Sequence, residues 1–149
     1  SFSPGKHNEL QKAIIEEFAP RFAPGVECLY VGDTIEKDLV FDEARLSQLG
    51  VEMTIHDKLP DVMLYSPDKN WLYFVEAVTS VGPMTPARVK QIQVMTEGSH
   101  AGRIYVTAFL DLKTYKKFAD QLAWDTEVWI AEMPDHMIHL NGDRFLGPR

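Results

Sequence analysis

Two carboxylates, Asp61 and Glu76, are placed where they could do chemistry together. Asp61 opens the run Asp61-Val62-Met63-Leu64-Tyr65. Glu76 is the only charged residue in Trp71-Leu72-Tyr73-Phe74-Val75-Glu76-Ala77-Val78. The turn residues Ser66-Pro67-Asp68-Lys69-Asn70 separate the two runs, which predicts an antiparallel hairpin. With Ser66 facing Trp71 across the turn, Asp61 falls opposite Glu76, where Cβ atoms are about 4.5–5.5 Å apart. Two carboxylates at that spacing repel, and a charge within an apolar strand is costly to desolvate without a partner. A hard divalent cation answers both problems. Mg²⁺ binds through one or two carboxylates, keeps several waters and suits phosphate chemistry. The plainer alternative is a strand-end aspartate and a glutamate paired with a lysine, and a register slip of one residue would undo the opposition altogether.

Other residue combinations offer less. His56-Asp57 are adjacent in sequence and so rarely face each other, and His136 and His139, three apart on an expected strand, point to opposite faces. Thr79-Ser80 lies in no Gly-x-Ser-x-Gly elbow. The single cysteine, Cys28, excludes an intrachain disulfide framework and a cysteine-rich zinc site. All are read as structural residues.

Several elements must position the acid pair. A helix is expected over Asn8–Phe18, with Leu10, Ala13, Ile14 and Phe18 on one face and Pro20 beyond. A buried strand over Val26–Val31 and a short helix from Asp42 to Leu49, ended by Gly50, precede the hairpin. A helix from Thr85 to about Glu97 takes Thr85 as N-cap and Pro86 in its first turn. A strand over Arg103–Phe109, a helix from Asp111 to about Ala123, and strands over Glu127–Ala131 and His136–Leu140 complete the chain. One hairpin combined with crossover helices predicts an α/β layer fold with a central mixed sheet.

At 149 residues, without repeats or long Gly/Ser linkers, the chain reads as one domain, residues 1–149. No uninterrupted apolar run has membrane-spanning length, and the first residues lack the apolar core of an export signal, so a cytoplasmic protein is expected. A net charge of −7 argues against a general nucleic-acid coating protein. The acidity is uneven: from Pro86 to Lys117 the basic residues Arg88, Lys90, Arg103, Lys113, Lys116 and Lys117 outnumber Glu97 and Asp111. That stretch is a solvated face or a surface turned toward phosphates.

Pro60-Asp61, with Glu76-Ala77-Val78 beginning fifteen positions after Asp61, looks like a variant of the PD-(D/E)XK nuclease motif. Longer words are more specific. Leu29-Tyr30-Val31-Gly32-Asp33-Thr34, Lys58-Leu59-Pro60-Asp61-Val62, Glu76-Ala77-Val78-Thr79-Ser80-Val81-Gly82-Pro83, Tyr105-Val106-Thr107-Ala108-Phe109, and Pro134-Asp135-His136-Met137-Ile138-His139 through Gly147-Pro148 are similar to the PstI/BsuBI-type restriction endonucleases. The likeness runs from about Gly5 to the last residue.

The resemblance implies a restriction-endonuclease-like core and Mg²⁺-dependent type II cleavage of double-stranded DNA at a short palindrome of the CTGCAG kind. It also implies a homodimer and, in full-length members, an additional N-terminal helical DNA-binding region, so the chain resembles the catalytic part alone. Asp61 and Glu76 match the motif acids and would ligate Mg²⁺, with the Ala77 carbonyl as a further ligand. Glu9, in Gly5-Lys6-His7-Asn8-Glu9-Leu10, resembles the helix glutamate that completes many such sites. A first-turn acid favoured by the helix dipole explains it equally well.

One position departs from the pattern. The motif lysine should follow Glu76 by two residues, and Val78 stands there. Valine cannot stabilise charge developing on phosphorus. Lys58, Arg88 and Lys90 are the basic residues placed to replace it, Arg88 through charge alone. The alternative is a domain of this fold that has lost catalysis and only binds DNA or a partner.

Overall fold

The hairpin closes in the expected register. In a computed structural model that describes residues 4–32, 40–52 and 58–142, β3 (Val62–Ser66) and β4 (Trp71–Val78) are antiparallel. Val62 lies opposite Val75 and Ser66 opposite Trp71. Asn70 takes a left-handed backbone at the turn (φ 55°), which asparagine tolerates. His56, Asp57 and the Gly147-Pro148 end of the last family word lie outside the described residues, as do Asp33 and Thr34.

Before the hairpin come α1 (Pro4–Ala13), a π-helical turn (Ile14–Phe18), α2 (Ala19–Phe22), β1 (Glu27–Val31), β2 (Val40–Phe41) and α3 (Glu43–Gln48). After it come α4 (Pro86–Met95), β5 (Gly102–Phe109), α5 (Leu112–Phe118), a 3-10 turn (Ala119–Gln121), β6 (Glu127–Ile130) and β7 (Met137–His139). The strands form one seven-stranded sheet in the order β2-β1-β3-β4-β5-β6-β7. The β4–β5 and β5–β6 pairs are parallel, with α4 and α5 in the connections, and the other pairs are antiparallel. The architecture is the expected mixed α/β sheet flanked by helices.

Both faces of the central strands are covered, which is why β3 and β4 read as nearly unbroken apolar runs. Successive side chains in a strand alternate between faces. Tyr73, Val75 and Ala77 of β4 pack with Leu10 and Ile14 at the first helix. Leu72 and Phe74 pack with Leu46 of α3 and Ile92 of α4 on the other side. By the same alternation Glu76 belongs to the α4 face.

Two contacts fix where α4 starts. The Met84 amide donates to Thr107 Oγ1 (3.1 Å), and Thr107 is the β5 residue paired with Glu76. Thr85 caps the helix as expected, accepting from the Arg88 amide at 3.1 Å, with Pro86 in the first turn. Arg88 therefore begins its path close to the rung that carries Glu76.

The first helical segment runs further than expected, from Pro4 to Phe22 rather than ending before Pro20. The π turn lies immediately upstream of Pro20, whose missing amide and bulky ring disfavour a regular preceding turn. The last helix is shorter than expected, tightening to a 3-10 turn after Phe118. No described helix is long and apolar enough to cross a membrane.

Candidate active site

Asp61 is one residue outside the β3–β4 ladder, and the same register carries it to Glu76. The two acids are tied through backbone amides. The Asp61 amide donates to Glu76 Oε1 (3.1 Å), and the Ala77 amide donates to Asp61 Oδ2 (2.8 Å). β4 continues beyond the end of β3, so Ala77 offers its amide to a side chain where a strand partner is missing.

Their surroundings differ. The Glu76 side chain is almost sealed, at 6% exposure, whereas that of Asp61 is 29% exposed. Burial and the neighbouring Asp61 charge push the Glu76 carboxyl up to about 7, against the opposing pull of Arg88 and the Asp61 amide. Among the described residues, Asp61, Glu76, Ala77 and Lys58 line a cavity of about 190 Å³, with His7 and the Thr79–Gly82 loop.

Arg88 supplies the cation at Glu76. Its Nε donates to Glu76 Oε2 at 2.7 Å, and its Nη1 donates to the Lys58 carbonyl (2.9 Å) and to Gln91 Oε1 (3.3 Å). The guanidinium is itself buried, and Nη2 has no acceptor among the described residues. Of the three basic candidates, Arg88 is the one whose side chain the structure places on Glu76. The Lys58 side chain is exposed at the cavity wall, while its carbonyl anchors Arg88. Lys90, two residues along α4, is exposed and does not line the cavities beside Glu76.

Glu9 is not brought to the pair. It is exposed on α1, about 200° around the helix from His7. His7 and Gln11, four residues apart, share the inward face with Leu10 and Ile14. His7 Nε2 lies 3.4 Å from Asp61 Oδ1. Gln11 Nε2 donates to the Gly32 carbonyl and lies 3.5 Å from that of Asp61. Sequence reasoning passed over both residues. Their signal was two polar side chains within an otherwise apolar helical stripe. His139 pairs with Glu127 across β6 and β7, away from this cavity.

The donors at the pair suit a small hard cation completed by water. Among the described residues no cluster of three His, Cys, Asp or Glu side chains is arranged to hold a metal alone. Two carboxylates with water in the remaining positions is the Mg²⁺ pattern, and burial, with the Asp61 charge second, raises the Glu76 pKa, a cost that a bound cation would offset.

The model of the BsuBI/PstI restriction endonuclease domain matches residues 1–143. The chain belongs to that family. It is 51% identical over 146 residues to the type II restriction enzyme BsuBI of Bacillus subtilis, covering 98% of this chain and 46% of the relative. It is 30% identical over 154 residues to the type II restriction enzyme AplI of Arthrospira platensis, covering 98% and 47%. The solved structure of SdaI restriction endonuclease superposes with a TM-score of 0.88 at 41% identity, over 98% of this chain and 46% of that one. The BsuBI/PstI resemblance and the restriction-endonuclease fold expected from the sequence are both borne out. The chain spans about half the length of the relatives it matches.

Proposed function

We propose that this chain is the catalytic part of a type II restriction endonuclease, hydrolysing phosphodiester bonds of double-stranded DNA with Mg²⁺ at a PD-(D/E)XK-type site. The observation that carries the reading is Arg88 on Glu76: the positive charge that Val78 cannot supply arrives from α4. Asp61, Glu76 and the Ala77 carbonyl would hold Mg²⁺, which when bound supplies Lewis acidity and charge for a phosphate.

The chain's own groups divide the remaining work. Arg88, fixed by Glu76 and the Lys58 carbonyl, places a permanent positive charge where negative charge develops on phosphorus. It cannot accept a proton from the attacking water, because a guanidinium stays protonated. Lys58 adds an exposed cation at the cavity wall, suited to a phosphate flanking the scissile bond.

The wider proposal follows the relatives. The 149 residues form one catalytic domain, an N-terminal region of a longer chain supplies DNA contacts, and the target is a CTGCAG-like palindrome. Cutting both strands of a palindrome calls for two sites, hence a homodimer, which would act in the cytoplasm.

Plasmid cleavage by this chain with Mg²⁺ and with EDTA, beside Asp61→Asn and Glu76→Ala, tests the reading. Cleavage is expected with Mg²⁺ alone and lost in both variants by at least about 100-fold, while Asp61→Asn stays folded. An Asp61→Asn protein that still cuts overturns the assignment. No cleavage even after an N-terminal region is restored would favour a domain that only binds.

A further inference from the structure

We propose that His7 is a positioning residue for Asp61, holding its carboxylate in the orientation that the metal site requires; the proposal rests on the nuclease reading above. Asp61 is the more open of the two acids, so less of its side chain is fixed by packing. Two contacts restrain it, one on each oxygen: the Ala77 amide on Oδ2 at 2.8 Å and His7 Nε2 beside Oδ1 at 3.4 Å. Gripping both oxygens opposes rotation of the carboxylate plane, which a single donor permits.

Helix α1 is built to deliver this contact. His7 is 5% exposed although it sits in the first turns of the chain's first helix. One turn later Gln11, 2% exposed, fixes the same segment from below through the Gly32 carbonyl, with the Asp61 carbonyl 3.5 Å away. The Gly32 amide in turn donates to the Asp61 carbonyl at 3.0 Å. The i, i+4 pair on α1 thus addresses the Asp61 side chain with His7 and its backbone with Gln11. In metal sites such outer partners orient the ligands, and their loss typically costs about 10–100-fold in metal affinity.

Mn²⁺, a spectroscopic substitute for Mg²⁺, provides a readout independent of cleavage. Binding is titrated by electron paramagnetic resonance on the full chain at pH 8, with metal-free thermal unfolding alongside. His7→Leu is expected to weaken Mn²⁺ by about 10–100-fold. His7→Gln, whose amide reaches nearly as far as Nε2, is expected to restore most of that loss with little regard to its own melting temperature. Should the leucine variant fail to fold, His7→Asn replaces it, since its shorter amide cannot reach Asp61.

Wild-type affinity in His7→Leu or His7→Asn, or a glutamine variant as weak as these, overturns the proposal. If Asp61→Asn loses Mn²⁺ while the His7 variants do not, the metal site stands and only the role of His7 falls. If Asp61→Asn binds like wild type, or wild type binds nothing, the parent reading fails and takes this proposal with it.

Discussion

Two of the glutamate–arginine pairs among the described residues are nearly the same length but stand in opposite surroundings. Arg45 Nε lies 2.9 Å from Glu27 Oε1 where α3 meets the start of β1, with the side chains 32% and 41% exposed. Arg88 Nε lies 2.7 Å from Glu76 Oε2, with the side chains 9% and 6% exposed. At the outer pair water solvates both charges and the guanidinium also rests over the Tyr65 ring, 5.1 Å from its centroid. At the inner pair water is largely gone and a second carboxylate, Asp61, pushes on the same glutamate. The same two residue types are an ordinary surface contact in one place. In the other they form a charged site whose energy depends on every member staying present.

Removing Arg88 should therefore have the largest effect. Arg88→Ala leaves Glu76 buried beside Asp61 without its cation, and breaking such a pair costs about 3–5 kcal/mol. Urea unfolding is expected to show that loss, and cleavage is expected to fall by at least about 100-fold. Adding Glu76→Gln to Arg88→Ala should recover much of the stability at pH 8, because no buried carboxyl then has to be ionised without its cation or kept protonated above its ordinary range, and none of the activity. Equal destabilisation in the single and double variants would mean that Arg88 matters for packing rather than charge.

Next in size is the dependence on pH. A folded-state pKa raised from 4.5 to about 7 means that native Glu76 keeps its proton where the unfolded chain has released it. Its stabilising contribution is complete below about pH 4.5 and is lost as pH rises through about 7, a fall of about 3 kcal/mol. Unfolding of wild type and Glu76→Gln at pH 5 and pH 8 isolates this difference, since the glutamine variant lacks the titrating group. Metal binding runs the other way, because it requires the ionised acid and should strengthen over the same interval. A wild-type stability that does not fall relative to Glu76→Gln between these pH values would show that Arg88 outweighs burial and Asp61.

Much of the inner pair's frame could be read from residue types. The turn composition between Ser66 and Trp71 set the register, and the register set Asp61 against Glu76. The choice among Lys58, Arg88 and Lys90 was not legible. It depends on the hydrogen bond from Met84 to Thr107, a tertiary contact that starts α4 beside the Glu76 rung. Helix phase explains the other difference. Motif likeness singled out Glu9, but the face of the first helical segment that meets the sheet carries His7, Leu10, Gln11 and Ile14. The two-residue β2 was missed because so short a strand has no periodicity to recognise.

The outer pair should give the smallest effect, and it supplies the control. Arg45→Ala removes a half-buried cation from Glu27, which water can then solvate, so its shift in urea midpoint should be no more than about a quarter of that for Arg88→Ala. Salt separates the two further. Raising ionic strength to about 1 M shortens the Debye length to about 3 Å, which screens exposed charges and leaves buried ones largely unscreened. The Arg45→Ala difference from wild type should then shrink to what the Tyr65 contact contributes, while the Arg88→Ala difference persists. If both differences shrank together, the inner pair would be reached by solvent and ions, and burial could no longer explain why Glu76 holds its proton toward neutral pH.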